Sequence, residues 1–193
     1  DYRRALEAAR RTLAIAASLD DRRLEVAAHL RLGQAYIATG DYRQAATALR
    51  KSVASLEGEL AHERFGLAGL PAAFSRAFLA WALAELGEFA EAIAAAEEST
   101  RIGEAARQPY SVAVADYTLG RSYLRQGDLA RAIAILEAGW ERSKAADLPA
   151  NSDHLAGILG YAYALAGRAG KGLPLLELAV REAESTSRHF HSL

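Results

Sequence analysis

Four glycines, Gly40, Gly87, Gly127 and Gly167, each end one apolar segment and open the next, at intervals of 47, 40 and 40 residues. Three of them stand in near-copies of one phrase, AYIATGDY (35–42), SYLRQGDL (122–129) and AYALAGRA (162–169), and the fourth reads ALAELGEF (82–89). A recurrence of this period belongs to stacked supersecondary units, and it decides the fold. Alanine is the commonest residue, with Leu, Glu and Arg behind it. These are strong helix formers, and no segment alternates as a strand would. The chain therefore reads as all-α.

Around Gly40, residues Leu32, Ala35, Tyr36 and Thr39 recur at three- and four-residue steps, which is one helix face. Gly40 ends that helix, because a left-handed residue past a helix end is most easily glycine. Asp41 then caps a second helix, whose face repeats Ala45, Ala48/Leu49, Ser52/Val53 and Leu56. The same plan surrounds Gly127: Leu119, Gly120 and Tyr123 precede it, and Asp128, Ala132, Leu136 and Gly139 follow. Small residues at Ala45, Ala92 and Ala132 let paired helices approach, and Leu49 and Leu136 fill the space between them.

The order Leu-Gly-x-x-Tyr, then Gly, Ala and a large residue, resembles the tetratricopeptide repeat. Leu32-Gly33, Tyr36, Gly40, Ala45 and Leu49 match it, as do Leu119-Gly120, Tyr123, Gly127, Ala132 and Leu136. Leu159-Gly160, Tyr163, Gly167 and Leu176 match with Gly172 in place of Ala, and Leu79-Ala80, Leu83, Gly87, Ala92 and Ala96 form a looser copy. The first consensus aromatic is replaced by His29, Arg76, Asp116 and Ala156. The resemblance implies an α-solenoid of helical hairpins coiled as a right-handed superhelix, first helices on the concave face.

The expected organisation is a single array: a second helix over 1–20, repeats over 22–65, 72–107, 110–147 and 150–186, and the start of another over 187–193. DYRRA (1–5) repeats DYRQA (41–45), so both ends read as cuts within a repeat, with apolar ends open to end-to-end self-association. Pro109 and Pro149 mark joints between hairpins, since the residue before proline leaves the helical region. The longer first interval places seven extra residues in 57–71, where Gly58, Gly66, Gly69 and Pro71 interrupt the pattern. A lengthened second helix followed by an irregular loop is expected there.

The resemblance carries the groove-facing positions onto Arg31, Gln34, Phe78, Trp81, Tyr117, Arg121, Arg125 and Tyr161. Aromatics and arginine dominate binding hot spots, which points to a protein or peptide partner. Packing between neighbouring hairpins is an equally open role for the same aromatics. Of the positions that form a carboxylate clamp in one subclass, only Arg121 is suited, so a chaperone-tail receptor is not implied.

Twenty-three basic residues balance 24 acidic ones, which gives no reason to expect nucleic acid or a membrane surface as partner. There is no cysteine, so disulfides and thiolate chemistry are excluded and a cytoplasmic setting fits. The five histidines, His29, His62, His154, His189 and His191, form no ligand set with acids, and no metal or cofactor is expected. Gly167–Gly172 lacks the serine or threonine and the preceding strand of a phosphate loop. No catalytic constellation stands out.

Residues 58–93 and 161–180 are also similar to the repeat regions of large bacterial signalling proteins. There the repeats follow a class III nucleotide cyclase domain and an AAA-type ATPase domain, or belong to LuxR-type ATPase regulators. That likeness implies a regulatory segment that holds a protein or peptide segment, or another domain of its parent chain. The alternative is a small-ligand or peptide sensor of a LuxR-type transcriptional regulator.

Overall fold

The computed structural model describes residues 2–56 and 58–191. Its helices are α1 (Tyr2–Leu19), α2 (Arg22–Ala38), α3 (Tyr42–Ala54), α4 (Pro71–Leu86), α5 (Phe89–Ala105), α6 (Pro109–Gln126), α7 (Leu129–Ala145), α8 (Pro149–Leu165) and α9 (Ala169–His191). A 3₁₀ turn, Gly58–His62, lies between α3 and α4. The described residues hold no strand. Hairpins α2–α3, α4–α5, α6–α7 and α8–α9 stack in order; α4 lies beside α2 and α6, and α6 beside α8. Contact between second helices of successive hairpins is at most marginal, so the first helices share one face of a solenoid.

The glycine that ends each first helix takes a left-handed conformation, with φ of +79°, +82°, +90° and +73° at Gly40, Gly87, Gly127 and Gly167. A Cβ at any of the four would meet no atom within 4 Å, so backbone conformation, not space, selects glycine there. The next helix is capped by Asp41, whose Oδ1 accepts from Gln44 N at 3.2 Å, and by Asp128, which accepts from Arg131 N at 3.0 Å. Pro71, Pro109 and Pro149 are the first residues of α4, α6 and α8, where the missing N–H costs nothing.

The glycine of the Leu-Gly pair answers to space. A Cβ at Gly33 would stand 2.3 Å from Leu49 Cγ, and one at Gly120 would stand 2.5 Å from Leu136 Cγ. Each leucine is fully buried, wedged against the backbone of the facing helix. The second hairpin keeps the register with Ala80 and Ala96, both fully buried, trading bulk evenly across the pair. Serines tie the same helices further along: Ser52 Oγ donates to Val26 O at 3.3 Å and Ser99 Oγ to Ala73 O at 2.8 Å.

The structure corrects two expectations. The second helix before the irregular segment is not lengthened: α3 has 13 residues against 17 in α5 and α7. Leu56 turns inward beneath Val26 and Ala72 and Gly58 takes φ +57°, so the extra residues pass into the 3₁₀ turn and loop. Arg64 donates to the carbonyls of Leu67 and Ala68 there. Residues 187–191 do not open a new helix either, because α9 runs on to His191. No Gly or Pro interrupts 175–191. Residues 192–193 lie outside the described residues.

His29 fills the consensus aromatic position of α2 and is buried, with Nδ1 unpartnered among the described residues and Nε2 3.7 Å from Glu25. Burial holds its pKa below the ordinary imidazole value, Glu25 opposing and Lys51 adding to the effect. The folded state thus prefers neutral His29, while the unfolded chain titrates near ~6.5. This contribution to stability is complete above that pH and is lost as pH falls below it. In urea titrations, His29→Phe should flatten the acid side of the stability profile; a parallel profile would reject the account. Gly120→Ala should destabilise, about 1–3 kcal/mol of overpacking exceeding the ~1 kcal/mol gained in helix propensity. Leu136→Ala alone should cost about 2–5 kcal/mol, and the double variant at least ~1 kcal/mol less than the sum. Additive denaturation midpoints would refute the wedge.

Candidate functional site

Two stripes of matching spacing face each other across the α4–α6 contact: Phe74, Phe78, Trp81 and Glu85 on α4, and Tyr110, Val114, Tyr117 and Arg121 on α6. Steps of four, three and four residues keep each set on one helix face. Phe74 meets Phe78 edge-on at 6.3 Å and Tyr110 at 5.5 Å. Phe78 stacks on Trp81 at 6.4 Å, Trp81 lies 5.5 Å from Tyr117, and Tyr117 meets His154 of α8 at 6.2 Å. The rings form one wall across three first helices. Phe78, Trp81, Tyr110, Val114, Tyr117 and His154 line a cavity of about 220 Å³.

One end of the wall is charged. The Arg121 guanidinium lies 4.5 Å above the Trp81 ring, a cation–π contact. Its Nε donates to Glu85 Oε1 at 3.0 Å, and Arg125 Nε donates to the same oxygen at 2.9 Å. Glu85 is only 9% exposed, Arg121 19% and Arg125 48%. One carboxylate thus holds two cations, leaving the cluster with a net positive charge. The Trp81 indole N–H is buried with no acceptor among the described residues. Burial raises the Tyr117 pKa, opposed by Arg121, so the phenol stays protonated at neutral pH.

Of the residues expected from sequence, Phe78, Trp81, Tyr117, Arg121 and Arg125 come together. Arg31 and Gln34 do not join them: Arg31 donates to Gln34 Oε1 at 2.9 Å, and both line a separate cleft against α1. Tyr161 is half exposed on α8 and outside the ring contacts. Phe74, Tyr110, Val114 and His154 are additions. The first three lie in the 4-3-4 stripes, a signal present in the sequence; His154 joins only through the packing of α8. Among the described residues no cluster of three or more His, Cys, Asp or Glu side chains could hold a metal ion. No helix there is long and apolar enough to cross a membrane.

Stacked hairpins with an exposed inner wall define the class of helical-repeat scaffolds. Tetratricopeptide repeat family models match residues 26–55, 73–98 and 113–138, and these segments are tetratricopeptide repeats. The solved structures agree on the fold. The putative kinesin light chain repeats of Podosopora anserina are 23% identical over 97% of this chain and 89% of theirs, with a TM-score of 0.66. A Rap protein complexed with Competence and Sporulation Factor is 12% identical, covering 95% of this chain and 50% of its own, at TM-score 0.76. The apo form of RapI is 13% identical over 97% of this chain and 64% of its own, at TM-score 0.75. The chain thus spans half the length of the Rap protein in the complex. No curated protein matches its sequence.

Glu85→Ala should destabilise the chain by roughly 2 kcal/mol or more, short of the ~3–5 kcal/mol of a fully buried pair, because Arg121 would keep its position without a carboxylate. Arg125→Ala should cost less than about 1 kcal/mol. Equal losses in chemical denaturation would show that Glu85 contributes only through its contact with Arg125.

Proposed function

We propose that this chain is a protein–protein interaction module that takes a peptide segment of its partner along the aromatic wall. The observation that carries this reading is the continuity of the wall from Phe74 through Trp81 and Tyr117 to His154, with Arg121 and Arg125 at its end. An apolar side chain of the peptide enters the cavity. An acidic group of the peptide is drawn to the two arginines. The Rap structure solved with Competence and Sporulation Factor supports a peptide as ligand in this fold and favours the sensor alternative, in which the peptide is itself the signal. The wider setting rests on the likeness of 58–93 and 161–180. It is a regulatory, cytoplasmic segment of a larger bacterial signalling protein, such as a nucleotide cyclase or a LuxR-type regulator, with a partner protein or another domain of the parent chain in the groove.

Selection of a random peptide display library on the purified 193-residue chain tests the site. Enriched peptides should combine an aromatic or aliphatic anchor with a carboxylate. Trp81→Ala with Arg121→Ala should weaken them by at least about a hundredfold, the effect of losing hot-spot anchors. The variant Trp140→Phe leaves Trp81 as the one tryptophan, whose fluorescence should shift on binding. Peptides that bind the double variant unchanged would remove the aromatic wall as the site.

A further inference from the structure

Arg76 stands two residues from both Phe74 and Phe78, so it leaves α4 on the side away from the aromatic wall. There it lines a cavity of about 250 Å³ with His62, Leu70, Glu98, Arg101 and Ile102. The cavity is a product of the one irregular joint. α3 stops short, Leu56 turns inward, and the residues beyond it place Ala61 and His62 along the cavity. The segment is tied to the helices around it: Arg23 Nη2 donates to Glu63 Oε1 at 2.8 Å, and Leu70 N donates to Ser111 Oγ at 3.1 Å. The joints over 106–108 and 146–148 have no such segment. Arg76 occupies the position of the first consensus aromatic. Its counterpart on α6, Asp116, is met by the residue 26 places on: Arg142 Nη2 donates to Asp116 Oδ1 at 2.7 Å and Nε to Oδ2 at 3.1 Å. At the same remove from Arg76 stands Ile102, which brings no charge. Arg76 Nη1 donates to Ala72 O at 2.9 Å, within its own helix. Glu98 acts on it by charge without a hydrogen bond, while Arg101 donates to both Glu98 oxygens. A guanidinium carries several N–H donors, and among the described residues no carboxylate accepts from this one. It is half-buried, and that burial holds its pKa below the ordinary arginine value, though it stays charged.

We infer that this cavity binds a small monocarboxylate, its oxygens on the Arg76 guanidinium and its apolar body against Leu70, Ala72 and Ile102. The guanidinium fork matches a planar carboxylate through two parallel bonds. Charge sets the valence. Arg101, chiefly through its hydrogen bonds, holds the Glu98 pKa below the usual carboxylate value, so Glu98 is ionised at neutral pH. Arg76, Arg101 and Glu98 together leave one positive charge, which one carboxylate neutralises; a dianion would place its second charge beside Glu98. Size sets the body. A cavity of ~150 Å³ holds benzene, so this one has room for a ring or a short chain beyond the carboxylate. Arg101 and His62 are exposed and stand at the mouth, with Arg76 deeper.

The probes are benzoate, hexanoate and octanoate, added to the 193-residue chain and followed by calorimetry and ligand-observed NMR. At least one should bind with one molecule per chain. Benzyl alcohol and hexylamine, of similar size without the negative charge, should bind at least about tenfold more weakly. Arg76→Gln should weaken the carboxylate by about tenfold or more, and Arg76→Lys by less. Arg76→Leu should abolish binding and raise the urea midpoint of the free chain, because it removes a half-buried charge that no carboxylate meets. A role in packing alone would lower that midpoint and leave binding unchanged, which overturns the inference. Trp81 fluorescence in the Trp140→Phe variant should not respond to the carboxylate; a response would move the ligand to the aromatic wall and overturn the assignment. Failure of all three carboxylates to bind, or binding that survives Arg76→Gln, overturns it as well. So does phenyl phosphate binding more tightly than benzoate, which would make the site one for dianions.

Discussion

The close approach of each first helix to its partner is the constraint on which the other features depend. Leu49 and Leu136 sit where a Cβ on the opposite helix would overlap them, so each hairpin closes to one separation and one register. That separation carries the serine bonds from Ser52 and Ser99 back to the first helices. It also aims the outer side of each first helix at the next hairpin. Because each unit contacts mainly its neighbours, the array inherits its shape from this repeated local fit.

The aromatic wall is a product of that stacking. No hairpin alone assembles it: Phe78 and Trp81 come from α4, Tyr110 and Tyr117 from α6, and His154 from α8. Its rings bury area between hairpins and present their remaining faces to the groove. Packing and the recognition proposed for the groove are thus two uses of the same side chains. Glu85 plays a comparable double part, holding Arg121 over Trp81 while keeping Arg125 at the rim.

Most of the fold was legible because its signals are local. The glycines, the Asp41 and Asp128 caps and the leading prolines each act within a few residues. The site was legible in part. Phe78, Trp81, Tyr117 and Arg121 followed from the register of the repeat, and Tyr110 and Val114 lay in stripes the residues already spelled out. The separation of Arg31 and Gln34 from them, and the arrival of His154, depend on how successive hairpins pack, which one sequence does not encode in any short window. The short α3 was missed for a related reason. Spare residues after a second helix can extend it or leave it, and the burial of Leu56 against Val26 and Ala72 decides between the two.

The loop before α4 has a mechanical meaning. Leu70 N donates to Ser111 Oγ at 3.1 Å, and Gly69 lies against both Phe74 and Ser111. The segment that joins the first hairpin to the second is therefore pinned to the third. A solenoid of nearest-neighbour contacts behaves as a spring whose coils yield one by one. The tie reinforces one joint of the spring, and α4 and α6 do meet more extensively than either pair of first helices flanking them. That reinforced joint, between α4 and α6, is the one across which Phe78 and Trp81 meet Tyr110 and Tyr117.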